Sequence, residues 1–148
     1  MPPILIDTNL LVYVYDVGSP NKAQRAQEVL DRLELTRNGC LSVQCLAEFL
    51  NVSTRKLDPP LSRADALEQG SLFTRMWPVF DLTPLIVLEA ARGARDYELP
   101  YYDAQIWAAA RLNQVTVIFS EDFSDGQVLE GVRFVNPFSM LFRVEDWV

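Results

Sequence analysis

The sequence predicts an α/β fold: a central, mostly parallel sheet flanked by helices on both faces. Three observations carry that prediction. Ile4-Leu5-Ile6 and Thr116-Val117-Ile118-Phe119 are short, almost wholly apolar runs, as expected of strands covered on both sides. The stretches between the strand-like runs carry apolar residues at the three-and-four spacing of helices. Strand alternating with helix is the pattern that builds a parallel sheet.

Taken in order, Ile4-Leu5-Ile6 forms the first strand and Asp7-Thr8-Asn9 follows it. Leu10 to Tyr15 continues as a short apolar helix that Gly18-Ser19-Pro20 ends. Ser19-Pro20 is a cap followed by proline at the first helical position. Ala23, Ala26, Leu30 and Leu33 then mark an amphipathic helix, closed by Asn38-Gly39. Cys40-Leu41 is the second strand, and Ser42 caps a helix from Val43 to about Lys56. Asp58-Pro59-Pro60 breaks the chain. Ser62 to Trp77 is helical, with Ala64, Leu67 and Leu72 within it, and Val79-Phe80-Asp81 is a short strand or extended link. Thr83-Pro84 repeats the cap-plus-proline signal ahead of a helix to about Tyr97. A further helix carries Asp103 in its first turn and runs to Asn113. After the strand ending at Phe119, Val132-Arg133-Phe134-Val135 is the last strand, and the remaining residues form a docked tail.

Composition narrows the chemistry. The 148 residues are 49% hydrophobic, enough for one domain with a real core. No apolar run is long enough to span a bilayer, and no basic-then-apolar leader opens the chain, so the expected compartment is the cytoplasm. Histidine is absent. That removes Ser-His-Asp and Cys-His triads, histidine bases and histidine-ligated zinc. Cys40 and Cys45 are too few for a disulfide framework and read as small buried hydrophobes. The formal charge is −7, from 20 acids against 13 bases, an awkward balance for a nucleic-acid binder unless a cation neutralises a cluster of acids.

Four acids sit where a parallel sheet gathers ligands, beyond the carboxyl ends of its strands. Asp7 and Asp122 leave two strands at one edge, and Glu48 and Asp103 reach the same space from flanking helices. Asp7 also has the residue type and place of a helix cap, and Asp103 those of an acid favoured by a helix dipole. Two like charges ~4 Å apart repel by ~1 kcal/mol in water and by ~4 kcal/mol at an effective dielectric near 20. With only oxygen donors present, Mg²⁺ or Mn²⁺ is the cation that suits such a cluster. It opens a route to phosphodiester hydrolysis without histidine.

These motifs resemble those of the PIN-domain ribonucleases and, among them, the toxins of VapBC toxin–antitoxin pairs. Ile6-Asp7-Thr8-Asn9 is similar to the family's opening motif, Leu46-Ala47-Glu48-Phe49 to its helical glutamate, Tyr102-Asp103-Ala104 to its third acidic motif, and Ser120-Glu121-Asp122-Phe123 to its fourth. The resemblance implies a single PIN-like domain over residues 1–148. It implies an Mg²⁺- or Mn²⁺-dependent endoribonuclease acting as the toxin of a toxin–antitoxin pair. Asp7, Glu48, Asp103 and Asp122 are its expected catalytic and metal-binding residues, with Thr8, Asn9, Ser120 and Asp125 in support. It further implies an RNA substrate, a small antitoxin partner and a homodimer, with no membrane association. Arg55, Lys56, Arg92 and Arg95 are candidates for contact with RNA. The same acids would serve another phosphoester, and a binding module with the PIN fold and little nuclease activity is the other reading.

Overall fold

A computed structural model describes residues 1–148. Its centre is a six-stranded sheet in the order β3-β2-β1-β4-β6-β5. β1 (Ile4–Ile6) pairs in parallel with both β2 (Gly39–Ser42) and β4 (Val117–Phe119). β3 (Val79–Phe80) extends the sheet beyond β2, and β6 (Val132–Val135) extends it beyond β4, both in parallel. β5 (Val128–Leu129), a strand the sequence pattern did not reveal, pairs antiparallel with β6 at the edge. Two residues are too short to show a period, so only the turn around Gly131, at φ +84°, marks the hairpin.

The all-apolar strands serve two cores, because successive side chains point to opposite faces. Ile4 and Ile6 of β1, with Val117 and Phe119 of β4, enter one core. α1 (Thr8–Tyr13), α2 (Pro20–Thr36), α3 (Val43–Arg55) and α4 (Arg63–Met76) cover it with Leu10, Leu11, Leu30, Leu33, Phe49 and Phe73. Leu5 and Ile118 enter the other core. α5 (Pro84–Tyr97) and α6 (Tyr101–Leu112) cover that face with Ile86, Ala90 and Trp107. Every residue of α6 from Ala104 to Ala110 is buried, as expected of a helix enclosed by its neighbours. The tail docks as expected: Phe142 and Trp147 meet the ring of Phe119 edge-on. No helix is long and apolar enough to cross a membrane.

The caps follow their residue types. Ser42, Ser62 and Thr83 each accept a backbone N–H in the first turn of the helix they precede. Ser19 holds the cap position without such a bond, and Pro20 alone marks the start of α2. The other end of α2 departs from expectation. Arg37, at φ 59°, takes the left-handed position, while Asn38 leads into β2 and Gly39 is its first residue. Gly39 serves packing instead: a β-carbon there would lie 2.6 Å from Trp77 Nε1. In α4, Ala66, Gly70 and Phe73 form the buried face, and Leu67 and Leu72 are exposed.

Candidate active site

The site is built at the carboxyl ends of the two central strands. Asp7 directly follows β1 and is 2% exposed. Its Oδ1 accepts from the backbone N–H of Thr8 at 2.7 Å, so it does cap α1. Its Oδ2 accepts from Ser120 Oγ at 2.6 Å, across from β4. Both roles therefore belong to one side chain. Burial pushes the Asp7 carboxyl up to about 7, opposed by the Ser120 and Thr8 hydrogen bonds and reinforced by the charges of Asp122 and Glu48. Cys45 Sγ packs 3.9 Å from Oδ1, and burial pushes that thiol up to about 12. Cys40 and Cys45 are free, buried thiols, as the sequence suggested.

The neighbours of Asp7 spread outward from it. Thr8 donates its hydroxyl to Glu48 Oε2 at 2.7 Å, tying α1 to α3. Asn9 Nδ2 donates to Asp122 Oδ2 at 3.2 Å and to Ser120 Oγ at 3.3 Å. The Asp122 backbone N–H donates to the same serine oxygen at 3.1 Å. Ser120 thus links the first and last acids of the cluster. Asp103 stands half-buried in the first turn of α6, its carboxyl raised by burial and by the charges of Asp122 and Glu48. Asp7, Glu48, Asp103 and Asp122 therefore occupy one electrostatic neighbourhood, supplied by β1, α3, α6 and the turn after β4.

Two other acids of the fourth motif point elsewhere. Glu121 accepts from Lys22 Nζ at 2.8 Å and from the Tyr13 hydroxyl. Asp125, expected to support the site, instead accepts the Asn136 backbone N–H at 2.9 Å beyond β6. It stands close to Asp122 in sequence, but its carboxylate is taken up by the backbone just past β6. The positive residues also divide. Arg92 is bound to Glu89 on α5 and to Glu130 in the turn between β5 and β6, and Arg95 to Asp96, which commits both to ion pairs. Lys56 remains exposed on the wall of a cleft of about 350 Å³ whose acidic end holds Thr8, Asn9, Glu48 and Asp122.

Sequence reasoning missed Gln44 and Gln105. Gln44 donates to Glu48 Oε1 at 2.9 Å and to the Tyr102 carbonyl at 3.0 Å. The buried Gln105 donates to Gln44 Oε1 at 2.9 Å. The available signal was spacing: Gln44 precedes Glu48 by one helical turn and shares its face.

The donor set suits a hard divalent cation. It is all oxygen, and Asn9 Oδ1 is buried with no hydrogen-bond partner. No three acidic or thiol side chains stand close enough to enclose an ion between them. An open arrangement fits Mg²⁺, which keeps several waters and takes only one or two carboxylates directly.

The family model described as the PIN domain matches residues 4–124. No curated protein sequence matches the chain. Among solved structures, a toxin–antitoxin complex from Klebsiella pneumoniae superposes with a TM-score of 0.67 at 16% identity, covering 93% of this chain and 99% of that one. VapC20 from Mycobacterium tuberculosis, described as a sarcin-ricin loop cleaving toxin, gives 0.65 at 17% identity, over 86% of this chain and 97% of that one. DNA-bound VapBC from Salmonella typhimurium gives 0.64 at 21% identity, over 90% and 97%. At such identities the likeness carries the fold alone. The match of sequence family over most of the chain carries more, and it includes all four acidic motifs: the chain belongs to the PIN domain family.

Proposed function

We propose that residues 1–148 form one metal-dependent endoribonuclease domain, acting in the cytoplasm as the VapC-type toxin of a toxin–antitoxin pair. The observation that carries this reading is the gathering of Asp7, Glu48, Asp103 and Asp122 at one sheet edge in a chain without histidine. The toxin assignment is supported by structural neighbours that are toxin–antitoxin complexes, and the choice of RNA by the toxin described as cleaving the sarcin-ricin loop. A cognate antitoxin and a homodimer belong to the same proposal. Exposed Leu67 and Leu72 on α4 offer apolar surface for such partners.

Asp7 and Asp103 would hold Mg²⁺ or Mn²⁺, with Glu48 and Asp122 completing the pocket directly or through water. The bound cation supplies Lewis-acid chemistry, activating water and neutralising phosphate charge. The protein's own residues set the stage. Ser120 and the Thr8 N–H orient the two oxygens of Asp7. Thr8 fixes one oxygen of Glu48, and Asn9 fixes one of Asp122. Lys56 lies on the cleft wall, where a substrate phosphate can meet it.

Cleavage assays on RNA, DNA and a small phosphoester test the reading. RNA is expected to be cut with Mg²⁺ or Mn²⁺ and to remain whole in EDTA, and Asp7→Asn is expected to be inactive under both conditions. Full activity in EDTA overturns the mechanism, and preferential hydrolysis of another phosphoester overturns the substrate.

A further inference from the structure

The Glu48 carboxylate is held on both oxygens, and only one of its holders belongs to a recognised motif. Thr8 takes Oε2. Oε1 accepts from Gln44, one turn earlier on α3. The Gln44 amide can face only one way. Its Nε2 lies against a carboxylate and the Tyr102 carbonyl, both of which only accept, so this atom must be the donor. Its Oε1 is then left for the Gln105 amide, and Gln105 Oε1 accepts the Tyr101 hydroxyl at 3.0 Å. A one-directional relay results: Tyr101 hydroxyl, Gln105, Gln44, Glu48.

The relay joins two elements that otherwise carry their acids independently. Glu48 rides on α3, and Asp103 directly follows Tyr102, whose carbonyl Gln44 grips. Separate helices can shift against each other, and a cation shared between carboxylates is sensitive to their spacing. We infer that Gln44 is a positioning residue, locking the Glu48 carboxylate and the first turn of α6 into one unit so that the acids of α3 and α6 meet the cation at a fixed separation. The inference rests on the metal-dependent reading above. It assigns Gln44 no contact with substrate.

Gln44→Leu keeps most of the side-chain volume and removes every hydrogen bond. Calorimetric titration with Mn²⁺ in the absence of RNA is expected to show binding weakened about 10-fold or more, the usual scale for losing a partner that orients a metal ligand. In RNA cleavage at a fixed Mn²⁺ concentration below saturation, kcat should fall while KM for RNA stays near the wild-type value. A purely structural role predicts a lower melting temperature with unchanged Mn²⁺ affinity, and that result overturns the inference. If Gln44→Leu fails to fold, Tyr101→Phe carries the test, since it deletes only the hydroxyl at the open end of the relay. Its Mn²⁺ binding should weaken by a smaller factor, and identical binding overturns the proposal. The metal titration decides the role of Gln44 even if the wild type leaves every RNA intact, in which case the ribonuclease assignment alone falls.

Discussion

Asp7 carries a burden that its local chemistry only partly relieves. A carboxylate this buried is disfavoured in its charged form, and two short hydrogen bonds do not restore its ordinary acidity. Its folded-state pKa of about 7 lies above the unfolded value of 3.8. Above pH 7 the metal-free folded state has lost a proton at a cost the unfolded state does not bear, so ionised Asp7 destabilises the fold. The penalty fades as pH falls from about 7 towards 3.8, where both states hold the proton. Asp7→Asn keeps an oxygen for the Thr8 N–H and removes the charge. In EDTA at pH 8 the variant should melt above the wild type, reflecting a stability gain of the order of a few kcal/mol. The gap should narrow as the pH is lowered through 5 and close only as it approaches 3.8. Thermal melts across that range check it, and a variant less stable than wild type at every pH would mean that Asp7 acts chiefly as a helix cap.

At the scale of elements, α5 and α6 show how closely the site is tied to packing. A β-carbon on Gly93 of α5 would sit 2.6 Å from Trp107 Cζ3, the buried indole of α6. Gly93→Ala should therefore destabilise the protein by about 1–3 kcal/mol, the usual cost of overpacking. Because α6 also carries Asp103, Mn²⁺ affinity should weaken with it; denaturant unfolding and calorimetry read the two effects. Elements of this kind were legible wherever the signal was local. The uninterrupted run Ile4-Leu5-Ile6 announced a doubly covered strand, and Ser42, Ser62 and Thr83 announced three helix starts. What stayed hidden depends on distant partners. Gly39 looked like a helix stop, but its reason is Trp77, an indole on another element. The four acids could be placed at one edge from topology alone. Asp125 could not be excluded that way, and Gln105 could not be included, because its partner Gln44 lies 61 residues earlier.

Across the whole molecule, the acids come from parts of the chain that only the complete fold brings together: β1, α3, α6 and the turn beyond β4. An unfolded chain has no such site, so a cation that binds it stabilises the folded state by mass action, about 2.7 kcal/mol at 100 times its dissociation constant. For a domain of this size each kcal/mol moves the melting temperature by about 2–4 °C. The wild type should therefore melt about 5–11 °C higher in saturating Mn²⁺ than in EDTA. Asp103→Asn tests whether the acids act as one site. The Asp103 carboxyl is raised by burial and by Asp122 and Glu48, so its charge destabilises the metal-free fold above its unfolded pKa. Removing that charge should raise the melting temperature in EDTA and shrink the Mn²⁺ increment in the same protein. If Asp103 serves only the dipole of α6, the substitution lowers the melting temperature slightly and Mn²⁺ acts equally on both proteins. A wild type indifferent to Mn²⁺, paired with a variant no more stable in EDTA, would mean that the four carboxylates share an edge of the sheet without sharing a cation.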